Sequence, residues 1–254
     1  MGATWTSTAD PAALGSPSPP VLVIGTAHVI DLASPLRRLL GTRPLDGIAL
    51  ELDAERAQVL LPSDAATPDP SARRPAPAPF FARLWAVVQR RLGADLGAGV
   101  PGAEMRTAAA IARERHLPIF LIDDPVRVTL ARLVRSMPLR ERVALVVGSL
   151  AGLLVPTRVV SEEMDRYTER PGEMLEELRK VSPTVARVLV DERNERMAER
   201  LAAIRARGFL RLAVVVGDAH VPGLSDALAR RGLAAERVSF RELRGPTAPS
   251  SSPS

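Results

Sequence analysis

Val23-Ile-Gly25-Thr-Ala-His28-Val29 and Val215-Val-Gly217-Asp-Ala-His220-Val221 are the same pattern written twice. In each, an apolar, largely β-branched run stops at a glycine, and a histidine follows three positions later. The run Val21-Leu-Val-Ile-Gly25, set off by Pro19 and Pro20, has no helical periodicity and reads as a buried strand. Leu212-Ala-Val-Val-Val-Gly217 reads the same way. Between them, Gly47-Ile-Ala-Leu-Glu-Leu52 and Pro118-Ile-Phe-Leu-Ile-Asp-Asp124 supply two more strands, and Arg237-Val-Ser-Phe240 is a candidate fifth. Apolar residues at helical spacing fill the intervals: Leu32 to Leu40 with Gly41 as a stop, a helix starting near Asp53, Phe80 to Leu92, Glu104 to Arg115 after Pro101 and Gly102, and Leu224 to Arg231. Strands alternating with helices predict an α/β fold, a mainly parallel central sheet flanked by helices and joined by right-handed crossovers.

Around this frame the chain divides by composition. Residues 1–20, rich in Ser, Thr, Ala and Pro, are expected to be disordered, as is the 245–254 tail, and a single domain spans 21–244. Within it, the Pro-, Ala- and Ser-rich stretch at 62–79 is expected to be a mobile loop, because such a composition buries too little surface to offset ordering entropy. Residues 125–205 contain no convincing strand, only amphipathic runs broken at prolines, and are expected to form a helical insertion.

Composition also excludes several kinds of chemistry. No cysteine is present among the 254 residues, so disulfides, thiolate metal sites and cysteine nucleophiles are ruled out. The net charge of +5 and a pI near 10.9 come almost wholly from arginines interleaved with acids, with Lys180 the sole lysine. Dispersed charge predicts solvated helix faces and ion pairs rather than a nucleic-acid patch. The start has neither a basic segment nor an apolar run, and Val143 to Val155, the most apolar stretch, falls short of the roughly 20 residues a bilayer requires. A cytoplasmic protein with no stable membrane insertion is the expectation; assembly into a homo-oligomer is left open.

In open α/β sheets the ligand crevice lies beyond the carboxyl ends of the strands. The residues closing the apolar runs are His28, Glu51, Asp123 with Asp124, and His220. Two imidazoles and a carboxylate are the usual ligands of a hydrolytic divalent ion, and three protein ligands leave a position for water. His28, Glu51 and His220 are therefore the candidate metal set, for Mn, Co or Zn. The alternatives are structural: each Gly-x-x-His can be a turn whose histidine merely packs, and Glu51 can pair with Arg56. Neither turn carries the further glycines of a dinucleotide fingerprint, and no Walker-type lysine follows, so nucleotide cofactors are not expected. His116, closing a helix where a cation suits the carboxyl end, reads as structural, and no serine sits in a nucleophile turn.

From Val21 to Leu233 the chain resembles the TraB/PrgY family, which includes Tiki-type and GumN-like proteins. The resemblance rests on Gly25-Thr-Ala-His28-Val, Glu51-Leu-Asp-Ala-Glu-Arg56, Gly102-Ala-Glu104-Met-Arg106, Leu121-Ile-Asp123 with Arg127, Asp191-Glu-Arg193-Asn194 and Gly217-Asp-Ala-His220-Val-Pro-Gly223. It implies a fold like that of the erythromycin-esterase and haem-uptake ChaN group. Tiki-type relatives are described as metal-dependent proteases using the paired Gly-x-x-His motifs, whereas PrgY-like relatives are linked to blocking a peptide pheromone. The chain departs from membrane-bound relatives in lacking carboxyl-terminal hydrophobic spans, and its Pro-rich loop is outside the family pattern.

The expected function is a metal-dependent hydrolase, a peptidase using the paired Gly-x-x-His motifs, with a peptide or small molecule as the expected partner. In that reading Glu104, in a first helical turn, takes the water's proton and Arg193 stabilises the oxyanion; the two also suit an ion pair with each other. Arg56, Asp123, Arg127 and Asn194 are the expected substrate contacts. Asp191, Arg193 and Asn194 share one or adjacent helical turns, so only part of that cluster is expected to face one crevice. The rivals are a binder that sequesters its ligand without turnover and an Arg-rich nucleic-acid binder, whose affinity falls steeply with salt.

Overall fold

The computed structural model describes residues 18–26, 32–61, 102–144 and 171–244, with backbone alone at 171–174. His28, the 62–79 loop, the Phe80 to Leu92 helix, the apolar stretch beyond residue 144, residues 1–17 and the 245–254 tail lie outside them.

The elements run β1 (Val21–Thr26), α1 (Ala33–Thr42), β2 (Gly47–Leu50), α2 (Ala54–Leu60), α3 (Ala103–Glu114), β3 (Ile119–Leu121), α4 (Val126–Ser136) and α5 (Pro171–Val181). They continue as α6 (Pro183–Ala186), a π turn (Arg187–Asp191), α7 (Glu192–Ala206), β4 (Leu212–Gly217), a 3-10 turn (Asp218–His220), α8 (Val221–Ala229), β5 (Ala235–Val238) and α9 (Phe240–Arg244).

All strand pairs are parallel, in the order β3-β2-β4-β1-β5. The two strands that precede the Gly-x-x-His motifs are neighbours: Gly25 pairs with Val216 and Thr26 with Gly217. Strand alternation divides the core into two layers. Leu22, Ile24, Ile48, Leu50, Ala213 and Val215 face one side and pack with Leu36 and Leu40 of α1 and Ala108, Ile111 and Ala112 of α3. Val21, Val23, Ala49, Val214 and Val216 face the other and pack with Met197 and Leu201 of α7 and Leu224 and Leu228 of α8. The result is an α/β/α sandwich in which every central strand is apolar on both faces, as parallel sheets require.

Three differences from the sequence reading have local causes. The last strand is Ala235–Val238 rather than Arg237 to Phe240, because Ala235 to Val238 hold register with Val21 to Ile24, while Ser239 and Glu242 bond each other at the start of α9. The helix of the second Gly-x-x-His motif starts at Val221, not Leu224, with Pro222 in its first turn. The last amphipathic run of 125–205 is not one continuous helix: it starts at Pro183 and is interrupted by the π turn just before Arg193 and Asn194. Such insertions are frequent at functional sites. Described parts of 125–205 are helical, with a further helical segment at 139–144. No helix among the described residues is long and apolar enough to cross a membrane.

Candidate active site

Each polar residue of the site is set by the element that carries it. Glu51 lies one position past β2, still laced to β4 by its N–H to the Val215 carbonyl, 3.1 Å. Its Oε2 accepts the Gly217 N–H at 2.7 Å, so backbone and side chain are both pinned to the neighbouring strand. His220 ends the 3-10 turn after β4 and is buried. Asp123 follows β3, its N–H reaching the Leu52 carbonyl at 3.3 Å.

Arg193, near the start of α7, joins them. Its Nε donates to Asp123 Oδ1 (3.0 Å), its Nη2 to Asp123 Oδ2 (2.7 Å) and to Glu51 Oε1, and its Nη1 to the Leu189 carbonyl (3.1 Å). The same Nη1 stands 3.1 Å from His220 Nε2, and Glu51 Oε1 stands 3.4 Å from that nitrogen. Arg56 closes the far side of Asp123 with Nη2, while its Nε bonds Asp53 Oδ2 at 2.6 Å. Asp53 also caps α2, accepting from the Glu55 and Arg56 N–H groups at 2.8 and 3.0 Å.

The imidazole tautomer follows from Asn194. Its Oδ1, an acceptor, lies 2.8 Å from His220 Nδ1, so Nδ1 carries the proton and the lone pair is on Nε2, facing Glu51 and Arg193. Gly223 makes room for this: a Cβ there would lie 2.2 Å from Asn194 Nδ2. At β1, a Cβ on Gly25 would lie 2.0 Å from Asp218 Oδ1, which is committed to the Phe240 N–H at 2.9 Å.

The electrostatics follow from burial and these partners. Burial pushes the Glu51 carboxyl up, but His220, Arg193 and the Gly217 N–H outweigh it and hold it below its ordinary value. Asp123 is likewise raised by burial and brought lower overall by Arg193 and Arg56. Burial depresses His220, with Arg193 adding to the effect and Glu51 opposing it, so the ring is neutral at pH 7. Arg193 is held above its usual value, the two carboxylates overcoming its burial.

Of the residues singled out from sequence, the fold brings together Glu51, His220, Arg193, Asn194, Asp123 and Arg56. Arg193 and Asn194 both reach His220, whereas Asp191 pairs with Arg179 at the surface. Glu51 pairs with Arg193 rather than Arg56, and Arg193 pairs with Glu51 and Asp123 rather than Glu104. Glu104 is buried in the first turn of α3 and takes part in none of the hydrogen bonds described above. Arg127 stands outside the cluster, 76% exposed and paired with Glu55 at 3.0 Å. His28 lies outside the described residues, two positions past Thr26. His116 is exposed and takes a left-handed φ of 53°, closing α3 with hydrogen bonds from its own N–H to Arg113 and from Leu117 to Ala112. Arg196 and Arg200, which hold Asp124, were not anticipated; their spacing of three and seven from Arg193 on one helix face is the available signal.

Among the described residues no group of three or more His, Cys, Asp or Glu side chains is arranged to hold a metal ion. His220 Nε2 and Glu51 Oε1 nevertheless fit as two ligands of one. Their 3.4 Å separation is what bonds of about 2.1 Å at a tetrahedral angle give. A hydrogen bond donated by the other ring nitrogen, here to Asn194 Oδ1, is the usual companion of a metal-bound histidine.

Comparison with known proteins gives two matches. The profile of the TraB/PrgY/gumN family matches residues 15–237. An uncharacterized protein of Methanocaldococcus jannaschii is 31% identical over 208 residues, covering 80% of this chain. The chain spans about half the length of that relative, 52%.

Proposed function

The chain belongs to the TraB/PrgY/gumN family, and from that premise and the geometry of its strand ends we propose that it is a metal-dependent hydrolase acting on peptide bonds. The observation that carries the reading is the pairing of His220 Nε2 with Glu51 Oε1 at 3.4 Å, with Asn194 fixing the tautomer that presents the lone pair. His220, Glu51 and His28 would hold the ion, Mn, Co or Zn. When bound, it would lower the pKa of a water towards neutrality and supply the nucleophile.

The chain's own residues do the rest. Asp123 holds two N–H groups of Arg193, at Nε and Nη2, and so keeps the guanidinium in place when the Nη1 contact to His220 is given up. That Nη1 is then the donor that meets the developing oxyanion, where a preoriented charge in a water-poor site is most effective. Asp53 and Arg56 brace Asp123 from behind. Glu104 is assigned the water's proton on the strength of its burial in the first turn of α3 alone.

One observation favours a second reading. Arg193 already pairs with both Glu51 and Asp123, so each of these carboxylates has a counter-charge without an ion, as suits a crevice that binds a peptide and does not cleave it. Turnover separates the two. Protein reloaded with Mn, Co or Zn is incubated with a mixture of short peptides and the products read by mass spectrometry. Cleavage abolished in His220→Ala and Glu51→Gln is the expected result; saturable binding with no cleavage under any metal would support the binder instead.

A further inference from the structure

Next to this cluster, four guanidinium groups share two carboxylates. Asp124, 8% exposed, has Arg196 Nε 2.5 Å from Oδ2, Arg200 Nη2 2.5 Å from Oδ1 and Arg132 Nη1 3.7 Å from Oδ2. Glu192 is paired with Arg187 and stands 3.6 Å from Arg196 Nη1 and 3.9 Å from Arg132 Nη1. The last three of these separations exceed hydrogen-bond length. Arg132 Nη1 and Arg196 Nη2 are withdrawn from solvent and have no hydrogen-bond acceptor among the described residues. A buried charged donor left without an acceptor is costly, and a missing anion or water is the usual reason for one. Arg132 also lines a cavity of ≈ 570 Å³ with Arg127, Val128, Ala131, Arg135 and Ser136, all on one face of α4. Arg135 has no ion-pair partner among the described residues, so the cavity wall carries uncompensated positive charge.

We propose that this arginine cluster is a subsite for the free terminal carboxylate of a peptide substrate. The assignment rests on the hydrolase reading for its choice of ligand. Asp124 directly follows Asp123, and Arg196 lies one turn past Arg193 on α7, so the subsite adjoins the hydrolytic cluster. Planar guanidinium forks match a carboxylate in two-point contact. Asp124 and Glu192 then serve to hold the guanidiniums apart and aimed, not to neutralise them. A phosphate group shares the recognition chemistry and is separated by experiment.

The test is calorimetric titration of the full chain at low ionic strength with three probes: a tripeptide with a free carboxylate, the same tripeptide as its amide, and inorganic phosphate. The expected result is saturable binding of the acid at least about tenfold tighter than the amide, each tenfold being 1.4 kcal/mol. Arg132→Gln should reduce acid binding to the level of the amide while metal content stays unchanged. Arg132 is suited to the test because its contact to Asp124 is the longest of the three, and Arg135→Gln serves as a second variant. Equal binding of acid and amide, or unaltered binding in both variants, overturns the proposal. Phosphate binding as tightly as the acid, and lost in the same variants, overturns the peptide assignment in favour of a phosphate ligand. Wild type that holds no metal yet distinguishes acid from amide supports the subsite while sinking the hydrolase reading.

Discussion

Replacing Arg193 by Met strips the site of the cation that two buried carboxylates share. Arg193 is 15% exposed at its side chain, Glu51 12% and Asp123 4%, so neither acid regains much water when the guanidinium is lost. Asp123 keeps Arg56, while Glu51 keeps only the Gly217 N–H and its neighbour His220. Breaking a buried pair from one side costs about 3–5 kcal/mol, a large share of the roughly 5–15 kcal/mol that holds a domain together. Arg193→Lys keeps the charge but not the three-nitrogen fork, and should fall between wild type and Met. Urea unfolding at pH 7 measures both. The pH dependence supplies an internal check. In wild type Glu51 and Asp123 are held below their ordinary values, so their contribution is present above about pH 4 and is lost as pH falls through the folded-state values. Without Arg193 burial raises both carboxyls, so the variant's deficit should shrink on acidification. Met at position 193 within about 1 kcal/mol of wild type at pH 7, or a deficit that grows as pH falls, would refute the assignment of Arg193 as the shared counter-charge.

Asn194→Leu should release the His220 tautomer and cost about 1–3 kcal/mol, the penalty for orphaning a buried N–H; nitrogen-15 imidazole shifts, with three histidines to assign, read the tautomer directly. Gly223→Ala should do the same at one remove, since its Cβ would lie 2.2 Å from Asn194 Nδ2, and Gly223→Ala/Asn194→Ala should be more stable than Gly223→Ala alone. His220, depressed by burial, should make stability fall as pH drops below about 6.5, where the unfolded chain takes up a proton that the folded one refuses. His220→Gln should flatten that slope in denaturant titrations between about pH 6.5 and 5, and an unchanged slope would assign it to other groups.

β1, β2 and β4 were legible because a strand buried on both faces is a continuous apolar run with no helical period, and β3, an edge strand only partly buried, was legible from its short apolar run set off by Pro118. β5 was less so: Ala235-Glu-Arg-Val is an edge strand, paired on one side only, and its composition resembles a loop as much as a strand. The order β3-β2-β4-β1-β5 is written in no local pattern, yet it is what puts the two Gly-x-x-His strands side by side. Strand-end logic points to one place for Glu51, Asp123 and His220, because chain direction in a parallel sheet sends all carboxyl ends the same way, and the three lie around Arg193. It did not reveal which acid Arg193 would hold, since Arg193 is 142 positions from Glu51 and 70 from Asp123. The sharing of His220 between Arg193 and Asn194 was equally hidden, as was the π turn before them, which has no propensity signature.

Metal content is the most direct test of the hydrolase reading. Full-length protein, purified without an affinity tag or chelator and reloaded with Mn, Co or Zn, is measured by mass spectrometry beside Glu51→Gln, His220→Ala and His28→Ala. The account predicts near one ion per chain in wild type and its loss in all three variants, with circular dichroism confirming that they remain folded. No retained metal in wild type, or full occupancy in folded His220→Ala, would contradict it.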